Sequence, residues 1–364
     1  MFRAPGRVNL IGEHTDYNEG FVMPAAIEFA TWVAAGARDD RILAVHSENV
    51  SESREFSLDD PDASRQGQWS DYVRGVAVVL EGAGHRLRGA NLLIRGEVPL
   101  GAGLSSSAAI EIATAVALVS VSGLEVGRTE IARLGQRAEN EFVGMHCGIM
   151  DQFIACQARA GHALRLDCRS LDYRLVPLPP GVCLVIGDTC VHHELAAGEY
   201  NRRRAECETA VRHLARALPN VQALRDVTLP DLFQHGRGLP EVVLRRCRHV
   251  ITENLRVEQV TAALDRGDLA RLGQLMAESH TSLREDYEVS CAELDVMVKM
   301  ASELPGLLGA RMTGGGFGGC TINLVRQDAV ERFRTELLRR YQAATGREAR
   351  VYVSEAAGGA EEVV

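Results

Sequence analysis

The chain has 364 residues, 46% of them hydrophobic, enough for two ordinary domains with their own cores. Its formal net charge of −9, from 49 acidic and 40 basic residues, leaves no obvious nucleic-acid-binding face. No apolar run reaches the roughly 18 residues of a membrane span, and Met1-Phe2-Arg3-Ala4-Pro5-Gly6 does not read as a signal peptide. Nine cysteines without a C-x-x-C pair suit neither a disulfide framework nor a zinc site, and fit a reducing cytosol.

In chain order, a short apolar strand should end in the polar turn Gly12-Glu13-His14-Thr15-Asp16-Tyr17. Carboxylates beside an imidazole supply the mixed donors and acceptors that a polyol such as a sugar needs. The same residues also fit an ordinary charged loop. His14 and Asp16 could begin a metal site, but no further ligand stands near them in sequence. Residues 21–36 and 42–47 read as strands, and 92–95 as a short strand leading into a glycine-rich turn.

That turn is Pro99-Leu100-Gly101-Ala102-Gly103-Leu104-Ser105-Ser106-Ser107-Ala108-Ala109. Glycines, then hydroxyls, then helix formers build free backbone N–H groups emptying into a helix N-terminus, which is an anion site. Lys299 is the only lysine in the chain, so a Walker loop is excluded. Ser at 107 excludes a G-x-S-x-G elbow, and the missing lysine excludes an S-x-x-K acyl enzyme. A serine-rich connector would have the same composition. The helix is expected over 106–121 with Ser105 as its N-cap.

A second helix is expected over 129–141 and a third from about 148. Glu139 and Glu141 are acids of a kind that mostly sit on helix surfaces. Asp151 lies among Gly148, Ile149, Met150 and Phe153, so a buried carboxylate with an arginine partner is expected. Pro177-Leu178-Pro179-Pro180-Gly181 marks the boundary between a first domain, 1–178, and a second, 179–364.

Residues 183–187 read as a strand, followed by a largely helical stretch over 196–301 with turns near Pro219, Gly238-Leu239-Pro240 and Gly267. His193-Glu194 begins H-E-x-x-H, but Ala197 breaks it. Arg202-Arg203-Arg204 stands among Glu199, Glu206 and Glu208 and reads as a solvated helix face. Thr313-Gly314-Gly315-Gly316-Phe317-Gly318-Gly319-Cys320 formally matches G-x-G-x-x-G, yet a strand over 320–325 follows where the dinucleotide fold needs a helix. The glycines are therefore expected to let two backbones approach, or to form a plain hairpin turn. A helix over 328–344 and a strand over 350–354 close the chain. Strands and helices in both halves predict an α+β fold of two domains with the active site in the cleft between them.

Three of these segments, in this order, resemble the GHMP kinases, the family of galactokinase, homoserine kinase, mevalonate kinase and phosphomevalonate kinase. Gly6-Arg7-Val8-Asn9-Leu10-Ile11-Gly12-Glu13-His14-Thr15-Asp16-Tyr17 resembles the galactokinase signature, and the resemblance runs from about Phe2 to about Val353. It implies a two-domain GHMP-kinase architecture and ATP-dependent phosphorylation of the anomeric hydroxyl of galactose in the cytoplasm. It implies that Gly101, Gly103, Leu104, Ser105, Ser106 and Ser107 wrap the ATP phosphates, with Trp69 and Tyr72 near the adenine. Ser107 and Glu139 match the Mg2+ positions, Asp151 the catalytic base, and Arg7 its paired arginine. Glu13, His14, Asp16, Gly148 and Tyr200 match sugar-binding positions, and residues 313–319 match the motif behind the phosphate loop. Many relatives carry an N-terminal extension before the first motif. The rival readings are an N-acetylgalactosamine kinase and a galactose sensor without catalysis. A mevalonate or homoserine kinase fits the loop but not Glu13-His14-Thr15-Asp16. Galactose and ATP are the expected partners, without nucleic acid or membrane, and the monomer is the expected state.

Overall fold

The structure is a computed structural model and describes residues 1–60, 64–192 and 196–363. The His193-Glu194 reading lies outside the described residues. The first half opens with β1 (Phe2–Asn9), β2 (Phe21–Val22), β3 (Pro24–Ala37), β4 (Ile42–Ser47) and β5 (Glu52–Ser57). Then come α1 (Asp71–Gly82), β6 (Ala90–Gly96), α2 (Ser106–Val121), α3 (Arg128–Arg137), α4 (Met150–Gln157), β7 (His162–Asp167) and β8 (Tyr173–Pro177). The second half holds β9 (Val182–His192), α5 (Ala196–Leu214), α6 (Leu229–His235), α7 (Glu241–Arg266), α8 (Leu269–Ser282) and α9 (Ala292–Ser302). It closes with β10 (Leu307–Thr313), β11 (Gly318–Arg326), α10 (Val330–Thr345), β12 (Arg350–Ser354) and β13 (Glu361–Glu362).

The strands form a six-stranded sheet ordered β13-β1-β3-β6-β4-β5, a four-stranded sheet β10-β11-β9-β12 and a small sheet β2-β7-β8. Only β4 and β6 pair in parallel among the described strands. The C-terminal segment returns to the first sheet, where Phe2 pairs with Glu362 and the Ala357 N–H bonds the Ala26 carbonyl at 2.9 Å. No helix among the described residues is long and apolar enough to cross a membrane.

Alanine content explains the place of α2. Small side chains on nearly every face let the six-stranded sheet and neighbouring helices pack closely around it. A separate apolar cluster joins the two halves: Val8, Leu10 and Ile11 pack with Val257 and Val260 of α7, Met276 of α8 and Ile322 of β11. β1 thus leaves the first sheet directly into a seam shared with the second half.

Two expectations change here. The helix expected over 129–141 is α-helical to Arg137 and continues as one π-turn over Ala138–Val143. Wider turns of this kind often re-aim side chains at functional sites, and Glu139 lies in this one. The arginine triplet is not uniformly solvated. Arg203 is 4% exposed; its Nε donates to the Tyr287 carbonyl and its Nη2 to the Glu288 carbonyl, both at 2.8 Å, and it sits over the Phe317 ring. Two carbonyls at the end of a second π-turn, Leu283–Tyr287, satisfy the buried guanidinium, which spacing along α5 could not reveal.

Candidate active site

β1 carries Arg7 to the point where the glycine-rich loop and α4 meet. The Arg7 guanidinium forks onto the carboxylate of Asp151, with Nε to Oδ1 and Nη2 to Oδ2 both 2.8 Å, while Nη1 donates to the Gly103 carbonyl at 2.6 Å. The arginine side chain is 7% exposed and Asp151 23%, so the acid is only half-buried, because one side faces a cavity. Ser105 holds the expected N-cap position of α2, but its side chain makes no capping bond. Its backbone is left-handed, φ 60°, and its hydroxyl donates instead to Asp151 Oδ2. One carboxylate therefore ties β1, the loop and the first turn of α4 together.

Along the loop, left-handed φ at Gly101, Gly103 and Ser105 alternates with ordinary φ at Ala102 and Leu104. Such alternation turns successive N–H groups into one anion-binding concavity. Leu104 itself is buried and its carbonyl accepts from the Arg7 N–H at 3.0 Å. The glycine motif between β10 and β11 packs against the loop: a Cβ on Gly314 would meet the Gly103 carbonyl oxygen at 2.9 Å. This is the close backbone approach expected of those glycines.

The polar turn after β1 is held from the second half. Glu253 of α7 accepts from the Gly12 N–H at 2.9 Å, His249 bonds the Glu13 carbonyl at 3.1 Å, and Asn254 accepts from the Phe21 N–H at 2.8 Å. Burial pushes the Glu253 carboxyl up, but Arg256 above all, with a 2.6 Å hydrogen bond, outweighs this and holds it well below its usual range.

Glu13 is nearly buried. Its Oε1 accepts from the Gly314 N–H at 2.7 Å and lies 3.4 Å from Arg311. His14 has a left-handed φ of 62°. Burial, then His249, lowers its pKa to about 3, so its ring is neutral at pH 7. The Gly315 carbonyl, 3.2 Å away, can only accept, so Nε2 carries the proton. Nδ1 then accepts from the Tyr17 hydroxyl at 2.8 Å, and Tyr17 in turn accepts from Tyr287 at 2.7 Å. Both His14 nitrogens are thus engaged within the protein. Asp16 lies so close to Gly148 that a Cβ there would fall 2.0 Å from Oδ2; only glycine fits. Burial, then the nearby Asp151 charge, raises the Asp16 carboxyl to about 7.

Arg7, Glu13, His14, Asp16, Glu139, Gly148, Asp151 and Tyr200 line one cavity of 380 Å³, with Gly101, Gly103 and residues 314–317 on its other wall. The Tyr200 ring lies 5.6 Å from His14 and 5.3 Å from Tyr17. Trp69 and Tyr72 are not among its lining residues. Trp69 packs on the first core with its indole N–H on Glu52 at 3.2 Å, and Tyr72 lies within the field of Glu139 and Glu111. Glu141 is a surface acid paired with Arg137.

Glu139 is buried in its π-turn, hydrogen-bonded to Ser107 and to the Cys147 thiol. Burial first, and Asp151 next among the raising effects, push its carboxyl up. Glu139 and Ser107 offer two hard oxygens, and no cluster of three or more metal-ligating side chains occurs among the described residues. Mg2+ is commonly held by one or two protein oxygens with phosphates and waters completing its shell. The donor set fits that ion. Sequence reasoning missed Glu253, His249, Arg311 and Glu111. Each looks like an ordinary helix or strand polar residue, and only the fold turns it inward.

A glycine-rich loop opening a helix, a polar turn from the first strand and a glycine hairpin behind the loop together define the GHMP kinase architecture. Its N-terminal domain model matches residues 71–159, its C-terminal model 260–343, and the galactokinase galactose-binding signature 1–37. The chain is 51% identical to a galactokinase of Roseiflexus sp. (strain RS-1), covering 100% of this chain and 93% of that one. It is 51% identical to the galactokinase of Chloroflexus aggregans (strain MD-66 / DSM 9485), over 98% and 92%. It superposes on Lactococcus lactis galactokinase complexed with galactose at TM-score 0.95 and 39% identity, covering 100% of this chain and 94% of that one. A mevalonate kinase matches at TM-score 0.69 and 18% identity, over 98% of both chains, a likeness of fold alone. The chain belongs to the galactokinases, ATP-dependent sugar kinases of the GHMP family.

Proposed function

We propose that this chain transfers the γ-phosphoryl group of ATP to the anomeric hydroxyl of galactose, with Asp151 as the base and Arg7 as its partner. The observation that carries this reading is the forked Arg7–Asp151 pair, which opens onto the same cavity as Asp16, Glu13 and Tyr200. Loop amides over 101–107 and the α2 N-terminus bind the phosphates. Ser107 and Glu139 would hold Mg2+, which when bound neutralises phosphate charge.

Phosphoryl transfer asks the protein mainly for alignment and charge stabilisation. Asp151 accepts the hydroxyl proton of the sugar. The freed oxygen forms its bond to the γ-phosphorus as the bond to ADP breaks, giving galactose 1-phosphate and ADP. Arg7 keeps a positive charge beside the reacting oxygens. Asp16 accepts hydrogen bonds from ring hydroxyls, and Tyr200 covers the sugar from the second half. The nine free cysteines support a reducing compartment, the cytoplasm, as the place of reaction.

The test is a coupled ADP-release assay across a sugar panel with ATP and Mg2+. Galactose should be turned over in strong preference to glucose and N-acetylgalactosamine. Preference for N-acetylgalactosamine would move the reading to that sugar, and galactose binding without ADP release would make the chain a sensor.

A further inference from the structure

Gln152 follows Asp151 in α4 and is fully buried. Its side-chain amide nitrogen donates to Glu139 Oε2 at 2.6 Å and to Glu111 Oε2 at 3.0 Å. Its two hydrogens meet two carboxyl oxygens, and the ionised form of Glu139, which can only accept, sets this orientation of the amide; Gln152 Oε1 and Glu111 Oε1 are buried without a partner. Its stem is fixed by packing: a Cβ on Gly135 would meet Gln152 Cγ at 3.3 Å. Glu111 sits on α2 one turn beyond Ser107 and is fully buried. The reaction described above uses neither Gln152 nor Glu111.

We propose that Gln152 is the positioning residue for Glu139. Its amide holds that carboxylate at a set place, and Glu111 anchors the second amide hydrogen. Because Gln152 and Asp151 are consecutive in one helix turn, the base and the Glu139 carboxylate are held to the same piece of backbone. Glu139 needs such a tie, as it hangs on a π-turn and shares its neighbourhood with the like charge of Asp151. Outer partners of this kind orient metal-binding carboxylates. The inference rests on the reading of Glu139 as a metal ligand.

The experiment measures Mn2+ binding to the galactose- and ADP-bound protein by paramagnetic resonance of the free ion, with galactose affinity by calorimetry. Gln152→Met keeps the side-chain volume and removes both donors. Its Mn2+ dissociation constant should rise about 10–100-fold, the Mg2+ needed for half-maximal turnover should rise in parallel, and galactose affinity should stay unchanged. Glu139→Gln is the control. If it weakens Mn2+ and Gln152→Met does not, the positioning role is overturned while the metal reading stands. If Glu139→Gln leaves Mn2+ unaffected, the metal reading falls and takes the proposal with it. Should thermal melts show Gln152→Met unfolded, Glu111→Met removes the anchor alone and should weaken Mn2+, with Glu111→Gln restoring it. Equal Mn2+ affinity in Glu111→Met and Glu111→Gln would overturn the anchor.

Discussion

Two neighbours converge on Asp151 and leave one face of it open. Arg7 forks onto it, the Ser105 hydroxyl donates to it, and its remaining face opens to the cavity. Asp151→Asn preserves shape but removes the proton acceptor. The expected fall in kcat is about 100-fold or more, read by ADP release at saturating galactose. Near-normal turnover would remove Asp151 from the role of base. Asp16 makes a separate prediction. Its carboxyl titrates near 7, so it gains its full acceptor capacity only as pH rises past neutrality. Galactose affinity measured by calorimetry should strengthen from pH 6 to 8, roughly the window around that titration, and Asp16→Asn should be flat across it. A flat profile in the unaltered protein would contradict the assignment. The sign for stability is opposite. Raised from 3.8 to about 7, this carboxyl favours the fold at low pH and loses that contribution as pH rises through the interval.

Elements, more than single residues, decide where the polar turn after β1 sits. α7 reaches across from the second half and satisfies the Gly12 N–H, the Glu13 carbonyl and the Phe21 N–H with Glu253, His249 and Asn254. Glu253→Ala removes one clamp and leaves Arg256 without its buried partner, a loss of about 3–5 kcal/mol in unfolding free energy. Denaturant titration reads that loss. Galactose affinity should fall with it, because the turn bearing Glu13 and Asp16 loses its anchor. Unaltered galactose binding in a destabilised protein would separate the clamp from any role of this turn in holding galactose. Left-handed backbone marks the same region. His14, Ser105 and Phe317 are three of the eight non-glycine residues with left-handed φ among the described residues, and all three sit at or beside the cavity. Such residues cost of order 1–3 kcal/mol each, which the packing of loop against hairpin offsets.

The whole molecule closes around an apolar seam rather than a hinge of polar loops. Val8, Leu10 and Ile11 join Val257, Val260 and Ile322 in one buried cluster, and the cavity lies beside it with walls from both halves. A ligand that touches both walls should stabilise the fold as a unit. At a galactose concentration 100 times its dissociation constant the gain is about 2.7 kcal/mol, seen as one cooperative transition moving to higher temperature. Asp16→Ala should abolish the galactose-dependent shift. Two transitions of which only one moves would show that the seam does not couple the halves.

Local pattern by itself determined much of this protein. The strand over 42–47, the start of α2 at Ser106, the helical run between Ala196 and Ala301 and the strand after the glycine hairpin follow from apolar periodicity and turn residues, which act over a few positions. The loop over 99–107 was legible for the same reason, since its glycines and hydroxyls are contiguous. Tertiary structure alone decided which distant groups meet. The Ser105 side chain turns to Asp151 instead of capping α2, Arg203 turns inward to two carbonyls, and Glu253 reaches the polar turn after β1 from 240 or more residues away. Hydrogen bonds and ion pairs depend on distances of a few ångströms in space, and spacing along a chain carries no information about them once the backbone has folded back on itself.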